Sequence, residues 1–112
     1  MITTHVLDVA RGLPASGITV ILEMRQHSEW IPVGRGSTDD KGRLVDLTEA
    51  NHPVALGTYR LTFDTATYHR DQGIASPFFP EVKIFFNVDD AGSHFHIPLL
   101  LSPYGYSTYR GA

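Results

Sequence analysis

Residues 18–25 read ITVILEMR, and every second side chain from Ile18 onward is apolar. Alternation with a period of two is typical of a β-strand that turns one face towards a core. The pattern recurs in TYRLTFD at 58–64 and in EVKIFFNV at 81–88. The predicted core-facing residues are Ile18, Val20, Leu22 and Met24, then Tyr59, Leu61 and Phe63, then Val82, Ile84, Phe86 and Val88.

Turn-rich segments separate these stretches from five weaker strand candidates. The further strands are expected at 3–9, 30–36, 43–46, 94–101 and 104–109. The turns are RGLPASG, DDKGR, NHPVALG, DDAGS and SPYG, and Gly42 in DDKGR is expected to adopt a positive φ. One helix is predicted, TATYHRDQG at 65–73, with Thr65 as its N-cap and Gly73 at its end. About eight short strands with regular turns predict an all-β, two-sheet antiparallel sandwich.

The composition predicts one domain spanning residues 1–112, and 42% of the 112 residues are hydrophobic. A net charge of −3 and a pI near 6.0 argue against a basic surface for nucleic acid. The chain has no cysteine, which excludes disulfides and permits a cytoplasmic setting. The first residues lack the features of a signal peptide, and no apolar stretch approaches the roughly 20 residues of a membrane span. A cytoplasmic protein without membrane or nucleic-acid partners is therefore expected, with a processed periplasmic form as the alternative location.

Three of the six histidines lie in predicted strands. His94 and His96 are two residues apart, so they should share a strand face, and His5 should share its face with Thr3 and Leu7. The other three lie in a loop, near a strand end or in the short helix, and are expected to be exposed polar residues; they are His27, His52 and His69.

Three roles remain open for the strand histidines. The first is structural, which is favoured for His94 because it is nearest the DDAGS turn. The second is general acid–base catalysis, since histidine titrates near neutral pH. The third is metal binding, because an HxH pair with a distant third histidine occurs in some zinc sites. The residues alone rank these roles in that order.

Several motifs together resemble one family. They are THVLDVARGLPASG at 4–17, TDDKGR at 38–43, GTYRLTFDT at 57–65, FFPEV at 78–82 and HFHIPLLLSPYGYSTYRG at 94–111. In this order they are similar to 5-hydroxyisourate hydrolase, the transthyretin-related protein. The resemblance implies a transthyretin (prealbumin)-like sandwich of eight strands, with one short helix after the fifth. It also implies hydrolysis of 5-hydroxyisourate, a product of urate oxidation, to 2-oxo-4-hydroxy-4-carboxy-5-ureidoimidazoline.

The resemblance carries site residues with it. His5, Arg43, His96 and Tyr109 match the catalytic positions, and Arg110 joins His5, Arg43 and Tyr109 in binding substrate. Either histidine can be the base that activates water, and the guanidinium can meet charge that develops on the substrate. No metal site and no cofactor are expected. The role of His94 is left as structural.

The resemblance further implies a homotetramer, a dimer of dimers, with its sites at the dimer–dimer interface. The family ends in Tyr-Arg-Gly-Ser, whereas this sequence has Ala112 in the last position, so a weakened hydrolase is expected. Two alternatives remain: a carrier of a small aromatic ligand, and an interaction domain of the prealbumin type. A carrier needs a mostly apolar channel, and His5, Arg43 and His96 would make it polar.

Overall fold

The strand that covers most of residues 18–25 lies inside a four-stranded sheet. The computed structural model describes residues 1–49 and 53–112, and within these ranges it has nine strands and one helix. In chain order they are β1 (Ile2–Asp8), β2 (Leu13–Pro14), β3 (Thr19–Gln26), β4 (Glu29–Ser37), β5 (Arg43–Leu44), β6 (Gly57–Phe63), α1 (Thr65–Asp71), β7 (Val82–Val88), β8 (Phe95–Ser102) and β9 (Gly105–Thr108).

The four-stranded sheet has the order β4-β3-β6-β7, and all its neighbours are antiparallel. The three predicted alternations are confirmed, because their apolar residues face the core. All are buried except Met24 and Phe86, which are partly buried and pack against the core. The period-two pattern therefore fixes the inner face of this sheet.

The other sheet has the order β2-β1-β8-β9, with β5 also paired to β1. All of its pairs are antiparallel except β1 and β8, which run parallel with Thr3 beside His96. The two-sheet sandwich is confirmed, and this one pair departs from purely antiparallel order. A parallel pair cannot be joined by a hairpin. Here the chain between β1 and β8 contains the whole four-stranded sheet.

One apolar core lies between the two sheets. It unites the inner residues of both, for example Val6 and Leu99 from one sheet with Leu22 and Phe63 from the other, all at 0% exposure. Because side chains alternate along a strand, the same burial turns Thr3, His5 and Leu7 of β1 to the outer face.

The short helix is confirmed, but its N-cap is Asp64 rather than Thr65. The Asp64 carboxylate accepts a hydrogen bond from Thr67 N at 3.2 Å, as a capping side chain does. The Thr65 hydroxyl is turned inward and donates to the Phe79 carbonyl at 2.6 Å. The helix ends at Asp71, and Gly73 follows with φ +89°, as expected for a glycine at a helix end.

The expectation that His69 is exposed is wrong. Its ring is 2% exposed, because it lies on the inner side of the helix beside Tyr68. Burial lowers the pKa of His69 against a smaller opposing effect of the Asp8 carboxylate. His27 is exposed as expected, and His52 lies outside the described residues. No helix in the described ranges is long and apolar enough to cross a membrane.

Candidate active site

Three of the predicted site residues meet on the outer face of the β2-β1-β8-β9 sheet. The parallel register places Thr3 beside His96, and the antiparallel pairing of β1 with β5 places His5 opposite Arg43. We call this surface the histidine face and define it by Thr3, His5, Arg43, His94 and His96. It joins residues that are up to 93 positions apart in the sequence.

A threonine hydroxyl links the two histidines of the HxH pair. Thr3 Oγ1 lies 2.8 Å from His96 Nδ1 and 2.8 Å from His94 Nε2. Thr3 is 2% exposed, so its hydroxyl is hydrogen-bonded to these ring nitrogens rather than to bulk water. His94 is therefore internally hydrogen-bonded, as its structural role predicts.

The environment of His96 disfavours its charged form. Its pKa is lowered from 6.5, first by burial and then by the nearby His94, His5 and Arg43. Each of these groups adds or can add positive charge beside the ring, which makes a second positive charge costly. These surroundings favour the neutral ring, and Nε2 is the ring nitrogen of His96 that Thr3 does not engage.

The second histidine is oriented by the turn that carries Arg43. His5 Nε2 lies 2.9 Å from the carbonyl oxygen of Lys41. A carbonyl oxygen only accepts hydrogen bonds, so Nε2 of His5 must carry a proton. Neutral His5 is therefore the Nε2–H tautomer, and its Nδ1 is the nitrogen left for proton transfer.

The DDKGR turn is held by one carboxylate. Asp39 Oδ1 accepts hydrogen bonds from the backbone N–H groups of Lys41 and Arg43, both at 2.9 Å. The bond from Arg43 N is the main reason that the pKa of Asp39 lies below its ordinary value. Gly42 adopts φ +76°, which confirms the predicted positive φ, and its carbonyl accepts from Val6 N at 2.8 Å. This fixed turn sets the positions of the Lys41 carbonyl and of the Arg43 backbone.

The end of the chain lies against His96. Gly111 N donates to the His96 carbonyl at 2.7 Å, and a Cβ at Gly111 would come within 2.5 Å of His96 Cδ2. The glycine of the YRG ending is therefore required by close approach to the imidazole ring. Tyr109 is 57% exposed and, with His96, lines a groove of about 220 Å³ between β7 and the chain end.

Arg110 lines the same groove as His96 and Tyr109, with its guanidinium against the apolar wall. Its guanidinium lies over the ring of Phe95, 4.6 Å from the ring centroid, in a cation–π contact. Phe95 belongs to the core face of β8, which is opposite to the face of His96. The fold thus groups His5, Arg43 and His96, sets Tyr109 at the adjoining chain end, and holds Arg110 against Phe95.

The comparison with known proteins decides the family. A family model described as the HIUase/transthyretin family matches residues 2–111. The chain belongs to this family. A probable 5-hydroxyisourate hydrolase of Caenorhabditis elegans is 42% identical over 111 residues, which cover 99% of this chain and 81% of the relative.

Two solved structures of the HIUase/transthyretin fold lie close to this one. The 5-hydroxyisourate hydrolase of Klebsiella pneumoniae has a TM-score of 0.85 and 34% identity, over 99% of this chain and 97% of that chain. Sea bream transthyretin in complex with thyroxine has a TM-score of 0.88 and 31% identity, over 99% and 94%. The same backbone fold therefore occurs in a 5-hydroxyisourate hydrolase and in a transthyretin that binds thyroxine, and the side chains of the histidine face must discriminate between the two.

Sequence reasoning did not connect Thr3 or Asp39 with the histidine face. Alternation does put Thr3 on the same face as His5, but its contact with His94 and His96 depends on the register of β1 with β8. Asp39 was visible only as a turn former. In the described part of the chain, no three His, Cys, Asp or Glu side chains are grouped as a metal ion would need.

Proposed function

We propose that this protein hydrolyses 5-hydroxyisourate in urate catabolism. The observation that carries the proposal is the histidine face, where the strand registers bring His96, whose pKa is lowered, near His5 and Arg43. A neutral imidazole accepts a proton from water, and a fixed guanidinium stabilises an oxyanion. The names of the relatives and the match of residues 2–111 to the family support the same activity.

In the proposed mechanism His96 is the general base. Its Nε2 takes one proton from water while the water oxygen bonds to the amide carbonyl carbon of the ring. The carbonyl π electrons move to the oxygen, and the Arg43 guanidinium stabilises the resulting oxyanion by charge-assisted hydrogen bonds. When the oxyanion collapses, the ring C–N bond breaks and protonated Nδ1 of His5 gives its proton to the leaving nitrogen. The carboxylic acid that forms gives its remaining water-derived proton to solvent, so the products are a carboxylate and a ureido group. Release of the proton from His96 and reprotonation of His5 restore the site.

Substrate binding is assigned to His5, Arg43 and Tyr109. A guanidinium offers paired donors to a planar urate-like ring, and an exposed tyrosine beside His96 offers a hydroxyl and a ring face. Direct substrate contact by Arg110 stays a prediction, because here its guanidinium lies over Phe95. Metal-free and cofactor-free catalysis and a cytoplasmic location also stay predictions. The first is checked by assay after dialysis against a chelator, which we expect to leave the rate unchanged.

A pH profile follows from the environment of His96. The base must be unprotonated, and its pKa is lowered from 6.5. The unprotonated fraction of His96 rises through a pKa below 6.5, so this group sets the acid limb, and the proposed need for protonated His5 sets a separate alkaline limb. We expect the acid limb of kcat/KM to lie below pH 6.5. In Arg43→Gln one nearby positive charge is lost, so the limb should move to higher pH even though the rate falls. An acid limb above pH 6.5 in the wild-type protein would contradict the assignment of His96 as the base.

We also propose the homotetramer with shared sites. The histidine face is open, since His94 and Arg43 are exposed, so a second subunit would be needed to enclose a small ring from the other side. Light scattering tests this, with a tetramer as the expected result. A monomer at micromolar concentration would remove the shared-site mechanism while leaving the histidine chemistry to be tested separately.

The carrier alternative is favoured by the similarity to transthyretin bound to thyroxine. A polar histidine face argues against it, because small-molecule sites are usually lined by apolar groups with few polar ones. The test is direct: generate 5-hydroxyisourate from urate with urate oxidase and follow its ultraviolet absorbance with and without the protein. Decay faster than the spontaneous background supports the hydrolase; background decay both with this protein and with Ala112→Ser supports a binding role.

The same assay measures the effect of Ala112 on the rate of hydrolysis. Ala112→Ser adds the hydroxyl that the family carries at this position, next to Gly111 and its contact with His96. One added hydrogen bond is expected to raise the rate roughly 2- to 10-fold. If only the serine variant accelerates decay, Ala112 disables an otherwise intact site. If neither does, the proposed hydrolysis is wrong.

A further inference from the structure

The hydroxyl of Thr3 is shared by two histidine rings, and this sharing restricts their protons. A threonine hydroxyl has one hydrogen to donate and lone pairs that accept. If Thr3 accepted from both rings at 2.8 Å, its own buried hydrogen would have no acceptor among the described residues, which is costly, so Thr3 donates to one ring nitrogen and accepts from the other. Two arrangements satisfy this condition. Either His96 Nδ1 donates to Thr3 and Thr3 donates to His94 Nε2, or both bonds run in the opposite direction.

The two arrangements give His96 opposite chemistry. In the first, neutral His96 carries its proton on Nδ1, and the lone pair of Nε2 is free to accept a proton. In the second, Thr3 donates to Nδ1, so neutral His96 carries its proton on Nε2 and has no free lone pair. Only the first arrangement makes His96 a base at Nε2.

We propose that Thr3 is a positioning residue that holds His96 in its Nδ1–H tautomer, with His94 as the acceptor that fixes the direction of the Thr3 hydroxyl. The inference rests on the proposed hydrolase function. It assigns roles to two residues, Thr3 and His94, that take no part in the proposed proton transfers to and from substrate and water. His94 then acts through Thr3, at a distance of two hydrogen bonds from the reacting nitrogen.

The first arrangement also serves the protonated state of His96. An imidazolium has N–H on both nitrogens, so its Nδ1 must donate. That bond to Thr3, and the bond from Thr3 to His94 Nε2, then have the same directions before and after His96 takes a proton. No hydrogen bond has to reverse during the reaction, which is the advantage of a preorganised site. The second arrangement would have to reverse both bonds.

Burial keeps this arrangement in place. The Thr3 side chain is 2% exposed, so water cannot readily replace either ring as its partner. The backbone of Thr3 is also fixed, since β1 pairs with β8 in parallel register from Ile2 to Asp8. A free imidazole ordinarily prefers the Nε2–H tautomer, so a specific partner at Nδ1 is needed to reverse that preference.

The test reads the tautomer directly. Histidine-selective ¹⁵N labelling and long-range ¹H–¹⁵N spectra distinguish a protonated from an unprotonated ring nitrogen, with His94→Asn and His96→Asn used to assign the signals. In the unmodified protein at neutral pH we expect His96 with protonated Nδ1 and bare Nε2. Protonated Nε2 in neutral His96 would overturn the proposal.

Three variants separate positioning from structure. Thr3→Val removes the hydroxyl at nearly constant volume; we expect His96 to change towards the Nε2–H form and kcat to fall by about tenfold or more with KM within about twofold. Thr3→Ser keeps the hydroxyl and should retain the wild-type tautomer and most of kcat. Thr4→Val is the matched control, because Thr4 is equally buried on β1 but donates to the Ile97 carbonyl at 2.6 Å.

The outcomes distinguish this proposal from the proposed function. If Thr4→Val changes the tautomer and kcat as much as Thr3→Val does, Thr3 acts through general stability and the proposal is wrong. If the protein hydrolyses the substrate but Thr3→Val leaves the tautomer unchanged, the hydrolase stands and the positioning role fails. If the tautomer is as expected and no variant accelerates hydrolysis, the arrangement is real and the proposed function fails.

Discussion

Replacing His96 with asparagine is expected to lower kcat for 5-hydroxyisourate by roughly 100- to 10,000-fold, the usual contribution of a positioned general base. In the unmodified protein, Thr3 Oγ1 lies 2.8 Å from His96 Nδ1. The asparagine amide reproduces the position of Nδ1, so it can keep this hydrogen bond. It has no atom at the position of Nε2. The variant therefore removes the proposed proton acceptor while retaining the local hydrogen bond and the fold. The measurement is the rate of substrate decay, with circular dichroism to verify the fold.

His27→Asn is the matched control for this variant. His27 is exposed in the turn between β3 and β4 and adopts φ +58°, a conformation that asparagine tolerates well. The same chemical change there should leave kcat within about twofold, as surface changes away from a site do. If His96→Asn retains more than a tenth of the wild-type kcat, His96 is not the base. The assignment would then pass to His5.

Replacing Gly42 with alanine is expected to lower the free energy of unfolding by about 2–4 kcal/mol. Two effects combine at this position. The residue has φ +76°, and a Cβ would meet the carbonyl oxygen of Val6 at 2.3 Å. The turn must move to relieve that contact, and it carries both the Lys41 carbonyl that orients His5 and the Arg43 backbone. We therefore expect kcat/KM to fall together with stability.

Gly17→Ala separates the two effects. Gly17 has φ +80°, but a Cβ there would have nothing within 4 Å. Only the conformational cost of about 1–2 kcal/mol remains, and activity should be unchanged. Urea denaturation at matched protein concentration compares the two variants. Equal losses of stability would mean that the close approach of Gly42 to Val6 contributes nothing.

The inner faces of the strands could be predicted because alternation is a local property. Ile18, Val20 and Leu22 predict the buried face of a strand within five residues. This prediction needs no information about distant parts of the chain. Local competition between neighbours is harder to judge, as the helix start illustrates. Asp64 and Thr65 are both good N-cap residues. Asp64 is the N-cap here, because the Thr65 hydroxyl donates its hydrogen bond to the Phe79 carbonyl.

The site could be predicted only in part, because its contacts join distant segments. Alternation indicated that His94 and His96 share a face, but it contains no information about which strand lies beside them. Thr3 could not be assigned to their neighbourhood without the β1–β8 register. Burial of His69 was missed for a similar reason: its surroundings come from the docking of the helix, where Tyr68 donates to the Asp8 carboxylate at 2.8 Å.

The parallel pairing of β1 with β8 has a kinetic consequence. Thr3 and His96 are 93 positions apart, so the histidine face exists only after nearly the whole described chain has folded around the core. Contacts of such long sequence separation close a large loop and form late and slowly. A partly folded intermediate that holds only the four-stranded sheet would have its core strands, but His96 would not lie beside Thr3 and His5 would not lie opposite Arg43. Recovery of activity during refolding should therefore follow the slowest structural phase, which makes catalysis a reporter of complete folding.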